Sequence, residues 1–238
     1  MSGRPFYLNI RHRISQLFNP CLCLCCATPI TSSRFICTDC QDALETVKNP
    51  CNLCGLPNPV ADDPICPSCL HQPPLWQSLS APLIYQGSAR KLIQDLKFNE
   101  QIHIANALAT HFHEYFNAPT VEVLLPVPLH INRLLERGFN QADEIANALS
   151  RQMGIPVDRK SLSRIKETEP QAGLSLNKRR NNTIKAFHYN SSHRYKSVAI
   201  IDDIITSGST MTEICKTLKK SGIKHIQVWS LARALRHD

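Results

Sequence analysis

The stretch VAIIDDIITSGST runs from Val198 to Thr210. Its four opening apolar residues, Val198 to Ile201, are too few for a helix and suit a buried strand. Two acids follow, Asp202 and Asp203, and then Thr206-Ser207-Gly208-Ser209-Thr210. Met211, Ile214, Cys215 and Leu218 then recur at helical spacing, so an amphipathic helix is expected. Thr210-x-x-Glu213 has the pattern of a capping box, which predicts the helix start at Thr210. A strand, a glycine turn and a helix N-terminus together make a cradle for an anion, lined with hydroxyls and backbone N–H groups. A Walker loop would carry a lysine directly after its last glycine; Ser209 stands there, which excludes that class. Two carboxylates beside a phosphate site suit the hydroxyls of a ribose, and they suit Mg²⁺, which takes a few carboxylates plus substrate oxygens.

These residues resemble the signature of type I phosphoribosyltransferases: a hydrophobic strand, two acids, then T-[ST]-G-[ST]-[ST]. The resemblance implies a site for phosphoribosyl pyrophosphate with Mg²⁺, held by Asp202, Asp203, Thr206, Ser207, Gly208, Ser209 and Thr210, with Asp202 and Asp203 as the catalytic pair. The plainer alternative, a strand ending in an Asp-Asp turn before a capped helix, explains the acids or the hydroxyls but poorly explains both.

The 238 residues suffice for one α/β domain of ordinary size and a small module. The net charge is +8, and it is unevenly spread. Residues 1–80 carry five basic and five acidic side chains, so the whole excess lies beyond them. Ten Lys or Arg and two Glu fall between Arg159 and Lys196, a concentration that points to a polyanionic partner, with a solvated surface as the alternative. The opening MSGRPFYLNIRHRISQLF is broken by Arg11, His12 and Arg13, so neither a signal peptide nor a membrane span is expected, only a short amphipathic helix. A cytoplasmic location follows, where clustered cysteines stay reduced and bind metal.

Ten of the eleven cysteines lie between Cys21 and Cys69. Eight of them form C-x-x-C pairs: Cys23/Cys26, Cys37/Cys40, Cys51/Cys54 and Cys66/Cys69. Two such turns complete a tetrahedral shell of four sulfurs, so two structural Zn²⁺ ions are expected, with an iron–sulfur cluster as the minor competitor. Four sulfurs leave no open coordination position for catalysis. In the first half, Cys21 and Cys25 also lie within CLCLCC and could replace a neighbour. The block predicts a double zinc-ribbon module over residues 20–72, with a core of its own, joined by His71-Gln72-Pro73-Pro74 to an α/β domain over 78–238.

In that domain, strands are expected at Ala81–Gln86, Val121–Leu125, Ala186–Asn190, Lys196–Asp203 and Lys224–Ser230. Helices are expected at Ser88–Phe98, Ile102–Phe116 and Asn140–Met153, besides the one after the cradle; His103, His111 and His113 read as surface or packing residues. Alternation of this kind predicts a mostly parallel sheet with helices on both faces. Ligands of such sheets sit beyond the carboxyl ends of the strands, where Pro126 and Asp202 both emerge.

LPVPLHINRLLERGFNQ, from Leu125 to Gln141, leaves one of those ends and brings Arg133 and Arg137 with it. Arginine forks suit phosphate oxygens. The cysteine-rich N-terminus, VPL, RGFNQA, the basic KRRNN…AF segment and the Val198–Thr210 strand together resemble the ComF/GntX family, over roughly residues 20 to 236. That resemblance implies the phosphoribosyltransferase fold, a pyrophosphate-loop position for Pro126–Arg133, and a role in DNA uptake during natural transformation.

The polar segment RIKETEPQAGLSLNKRRNNTIKAF, Arg164–Phe187, matches the mobile loop that closes over substrate in those transferases. A basic flap there serves catalysis by excluding water, or follows a nucleic-acid backbone. The expected function is accordingly the binding of single-stranded DNA, with Arg137, Lys178, Arg179 and Arg180 on its path and a DNA-uptake helicase or recombination protein as a further partner. The alternative is an active phosphoribosyltransferase acting on an unidentified base or nucleotide. A zinc adaptor for partner proteins would leave the donor site unexplained.

Overall fold

The computed structural model describes residues 21–30, 35–60, 62–98, 102–114, 121–166 and 185–235. Two short strands open it, β1 (Cys21–Leu22) and β2 (Pro29–Ile30), paired antiparallel. Two one-turn helices follow, α1 (Thr38–Asp42) and α2 (Pro67–His71). The chain then runs through β3 (Ser78–Ser80), β4 (Leu83–Ile84), α3 (Gly87–Phe98), α4 (Ile102–Glu114) and β5 (Val123–Pro126). Next come α5 (Ile131–Arg137), α6 (Gln141–Met153), β6 (Leu162–Arg164) and β7 (Phe187–Tyr189). The last elements are β8 (Ser197–Ile205), α7 (Ser209–Lys220) and β9 (His225–Arg233).

The central sheet is parallel throughout, in the order β3-β9-β8-β5, with β4 continuing along β9 beyond β3. Val123–Leu125 in β5 and Val198–Ile201 in β8 are apolar without a break because both faces of the sheet are covered there. In β8, Val198 and Ile200 face one cluster while Ala199 and Ile201 face the other, as the two-residue period of a strand requires. One face is covered by α3, α4 and α6 through Leu92, Ile93, Leu108, Ile145 and Leu149. The opposite face is covered by α7 through Met211, Ile214, Cys215 and Leu218, the face expected from its spacing.

Four expectations require correction. The strand expected at Ala81–Gln86 is only β4, Leu83–Ile84, and a separate strand, β3, precedes it at Ser78–Ser80, the two parted around Pro82, which has no N–H to give a ladder. The strand near Ala186–Asn190 exists but lies outside the central sheet, paired antiparallel with β6. Helix α5 stands where only a loop was expected. Helix α7 begins at Ser209 with Gly208 as its N-cap, and no side chain caps it. The Thr210/Glu213 box is therefore not used. Glu213 instead accepts from Lys216 Nζ at 2.5 Å and from the Lys185 N–H at 3.4 Å.

The first half of the cysteine segment does not keep a separate core, whereas Cys51, Cys66 and Cys69 form a small cluster of their own with Leu53 and Ile65. Cys23, Ile36 and Leu44 share a cluster with Leu83, Leu92 and Ile93. Residues Glu45 and Val47 also hydrogen-bond along the outer side of the β4 edge, at Ile84 and Pro82. An edge covered in this way cannot template pairing with another chain.

Candidate functional site

The cradle is built by the run from β8 into α7. Asp202, Ile204, Ile205, Thr206, Ser207, Gly208, Ser209, Thr210 and Met211 line an open pocket there. Gly208 has φ +77°, a left-handed conformation that L side chains rarely adopt, and this turn swings the chain into the helix. Ser207 Oγ donates to Ser209 Oγ at 3.0 Å and accepts from the Ser209 N–H at 3.4 Å. The hydroxyls and the positive end of the helix dipole converge on one space.

Asp202 and Asp203 lie inside β8, not after it, and both are half-buried. Their carboxylates accept backbone N–H groups, Asp203 N–H to Asp202 Oδ1 at 2.9 Å and Ile204 N–H to Asp203 Oδ1 at 2.8 Å. Asp202 faces the pocket, whereas Asp203 is not among its lining residues. Two arginines complete this electrostatic group. Burial, then the neighbouring Arg133 cation, pull the pKa of Arg164 below its ordinary value, and the Asp202 carboxylate opposes them. The Arg164 guanidinium lies over the Phe187 ring, 5.5 Å from its centroid. Sequence reasoning assigned Arg133 to this site and missed Arg164. The signal was slight, a single cation inside the short strand Leu162–Arg164.

The segment after β5 is fastened to the motif strand by a Val127 N–H bond to Ile201 O at 2.9 Å. Asn140 fixes it from the other side. Its Nδ2 donates to Val127 O at 3.0 Å, and its Oδ1 accepts the Ala142 N–H at 3.2 Å as the N-cap of α6. Arg137 Nη1 donates to Gln141 Oε1 at 2.8 Å. The conspicuous RGFNQ run thus serves as a latch between loop and helix. Helix α5 carries Arg133 and exposes Ile131 and Leu135. Lys178, Arg179 and Arg180 lie outside the described residues.

The eight paired cysteines form two clusters, Cys23/Cys26/Cys37/Cys40 and Cys51/Cys54/Cys66/Cys69, and within each all Sγ atoms lie within 4.8 Å of one another. A tetrahedron with metal–sulfur bonds of about 2.3 Å has edges of about 3.8 Å. The measured separations are 3.7 Å for Cys26–Cys37 and 3.8 Å for Cys54–Cys66, so the donor sets fit. Each cluster repeats one detail, an N–H from the third cysteine to the first sulfur: Cys37 to Cys23 and Cys66 to Cys51, both at 3.3 Å. Burial raises the Cys23 thiol, but backbone N–H groups of Cys37, Cys26 and Cys25 outweigh it and lower it to about 6. The same contest, with donors from Cys66, Leu53 and Cys54, lowers Cys51 to about 7. Cys25 stands outside the four converging sulfurs, and burial, with the adjacent Cys23 charge, pushes it up to about 11. Nothing is described of the Cys21 side chain.

Two features went unread in the sequence. Arg233 is buried at the end of β9, where its guanidinium reaches backbone carbonyls on both sides. Trp76 is core, as its type suggests, yet its Nε1 donates to Leu53 O at 2.6 Å. Both were hidden because one polar group in an apolar run carries no periodic signal. Among the described residues no helix is long and apolar enough to cross a membrane.

Comparison with known proteins agrees with this geometry. The phosphoribosyl transferase domain family matches residues 101–236. A protein called DNA utilization protein YhgH, from Escherichia coli O157:H7, is 34% identical over 224 residues, covering 91% of this chain and 98% of that protein. Competence protein F of Haemophilus influenzae is 39% identical over 179 residues, 71% of this chain and 78% of its own length. Competence protein ComFC of Bacillus subtilis is 26% identical over 200 residues, with 79% of each chain covered.

Proposed function

We propose, from the premise that the chain belongs to the phosphoribosyl transferase domain family and to the ComF group within it, that it serves DNA uptake by handling single-stranded DNA beside a phosphoribosyl pyrophosphate site. The observation that carries the reading is the pocket lined by Asp202 and Ile204–Met211, with Arg164 in electrostatic reach of both Asp202 and Arg133. In this reading the N–H groups of the Ser207–Thr210 turn and its hydroxyls bind the 5′-phosphate. Asp202 and Asp203 accept hydrogen bonds from the ribose hydroxyls, and Arg133 contacts the pyrophosphate. Mg²⁺ would supply charge neutralisation between pyrophosphate and the acids. Two Zn²⁺ ions occupy the cysteine clusters of a ribbon module at residues 20–72, and the transferase-like domain spans 78–238. Reduced thiols of this kind belong in the cytoplasm.

The DNA path is read from charge. Lys178, Arg179 and Arg180 are three consecutive cations in a polar, basic stretch of the sequence, and with Arg137 they are the residues assigned to the phosphate backbone in this reading. Fluorescence anisotropy with a single-stranded oligonucleotide across a salt series tests this. Each lost phosphate contact lowers the salt slope by about 0.7, so replacing all three by Ala should lower it by about two. An unchanged slope moves the path elsewhere; no binding by the parent chain removes the DNA reading.

A second reading, transfer of ribose 5-phosphate to a base or nucleotide, is favoured by the complete acid pair and cradle. Transition-state charge would be stabilised by Asp202 and Asp203 at the ribose and by the arginines at departing pyrophosphate. Release of pyrophosphate in the presence of an acceptor would establish it.

A further inference from the structure

The C-x-x-C turn Cys51–Cys54 offers three successive carbonyls to the rest of the chain, and all three are used. Asn52 O accepts the Leu79 N–H at 2.8 Å, Leu53 O accepts Trp76 Nε1 at 2.6 Å, and Cys54 O accepts Arg233 Nε at 2.8 Å. Two of these donors continue to the phosphate cradle. Arg233 Nη1 donates to Ile205 O at 2.7 Å, to Ala234 O at 3.0 Å and to Thr206 O. Arg233 is 4% exposed, and its bonds join the turn to the point where β8 becomes the cradle. Trp76 lies on the other side of that loop, with Cη2 3.4 Å from the place a Cβ on Gly208 would occupy. The turn is also pressed onto β3. A Cβ at Gly55, where φ is +67°, would meet Leu79 Cδ2 at 2.6 Å.

We propose that the second cysteine cluster is a positioning element of the phosphate cradle, acting through Arg233 and Trp76. This rests on the reading of the cradle as a donor site. Four cysteine ligands fix the turn, the turn fixes three acceptors, and the two polar side chains transmit that placement to Thr206 and Gly208. Breaking the Cys54 O–Arg233 bond leaves a buried, charged Arg233 short of an acceptor, which is costly even though the carbonyl side is only half-buried. The first cluster is placed differently. Its buried Cys23 packs with Leu83, Leu92 and Ile93 on the opposite face of the sheet, so the two clusters are inequivalent in their reach.

The test uses the full chain, phosphoribosyl pyrophosphate with Mg²⁺ as probe, and ion content by native mass spectrometry. Cys69→Ser should lose one ion and weaken the probe about tenfold or more, the effect of one charge-assisted hydrogen bond. Cys26→Ser, at the first cluster, should leave the probe within about twofold of the parent. Titration of the parent should shift tryptophan emission, and Trp76→Phe should abolish that shift while weakening the probe. Trp229, the other tryptophan, is fully buried and supplies a constant background. Equal probe affinity in Cys69→Ser after loss of its ion overturns the proposal, as does equal weakening in Cys26→Ser. Should Cys69→Ser fail to fold, unchanged affinity and emission response in Trp76→Phe overturn it. A parent that does not bind the probe at all overturns the donor-site reading together with this one.

Discussion

Asn140 holds two structures together, and its replacement separates their contributions. Asn140→Ala removes the N-cap of Gln141–Met153, typically worth ~1 kcal/mol. It also leaves the Val127 carbonyl without the Asn140 donor, a loss of about 1–3 kcal/mol at a buried site. The sum is about 2–4 kcal/mol, and for a chain of this size the melting temperature should fall by roughly 5–15 °C. Asn140→Ser keeps an oxygen for the cap and loses only the bond to Val127, so it should show about half to three quarters of the fall. Differential scanning calorimetry measures both. Because the Val127 loop runs on to Arg133, donor affinity measured by calorimetric titration should fall in both variants. A fall of under about 2 °C in Asn140→Ala would refute the latch.

Native mass spectrometry of purified protein should find two Zn²⁺ per chain, one for each four-sulfur cluster; one ion or fewer sinks the two-site account. Gly208→Ala should destabilise by about 1–2 kcal/mol from backbone strain at φ +77°, since the added Cβ meets Trp76 only at contact distance. Unchanged thermal stability would mean that the turn relaxes out of the left-handed region. Cys215 is held protonated by burial, which pushes its thiol up to about 12. Fully buried as well, it should resist alkylation in the native protein at pH 8 and react only on unfolding; ready labelling at pH 8 would contradict its burial.

The sheet was legible because its longer strands contain short apolar runs such as Val198–Ile201, and the helices because their apolar positions recur at helical spacing. What escaped has physical reasons. Ile131 and Leu135 face solvent, so α5 has no buried stripe to betray it. The pairing of Leu162–Arg164 with Phe187–Tyr189 spans more than twenty residues of polar chain, and no local pattern encodes such a partner. At the cradle the residues were legible but their placement was not. The acids sit within β8 because its pairing with β9 continues past them to Ile205 and Arg233. The capping pattern at Thr210 was overridden by Gly208, whose left-handed turn starts the helix one residue earlier. The eight cysteines were legible as two sets of four, but not the three carbonyls between Cys51 and Cys54 or the buried Arg233 that meets one of them. The Cys54–Arg233 contact joins residues 179 positions apart, and only the fold brings them together.

The donor site is the claim on which the rest depends, and isothermal titration of the full chain with phosphoribosyl pyrophosphate and Mg²⁺ tests it directly. One site per chain is expected in the parent, with heat lost when Asp202→Ala and Asp203→Ala are combined, because the ribose hydroxyls and Mg²⁺ then lose their acceptors. Equal binding by parent and double variant, or none by the parent, would contradict the account and leave Val198–Thr210 as a strand, a turn and a helix start.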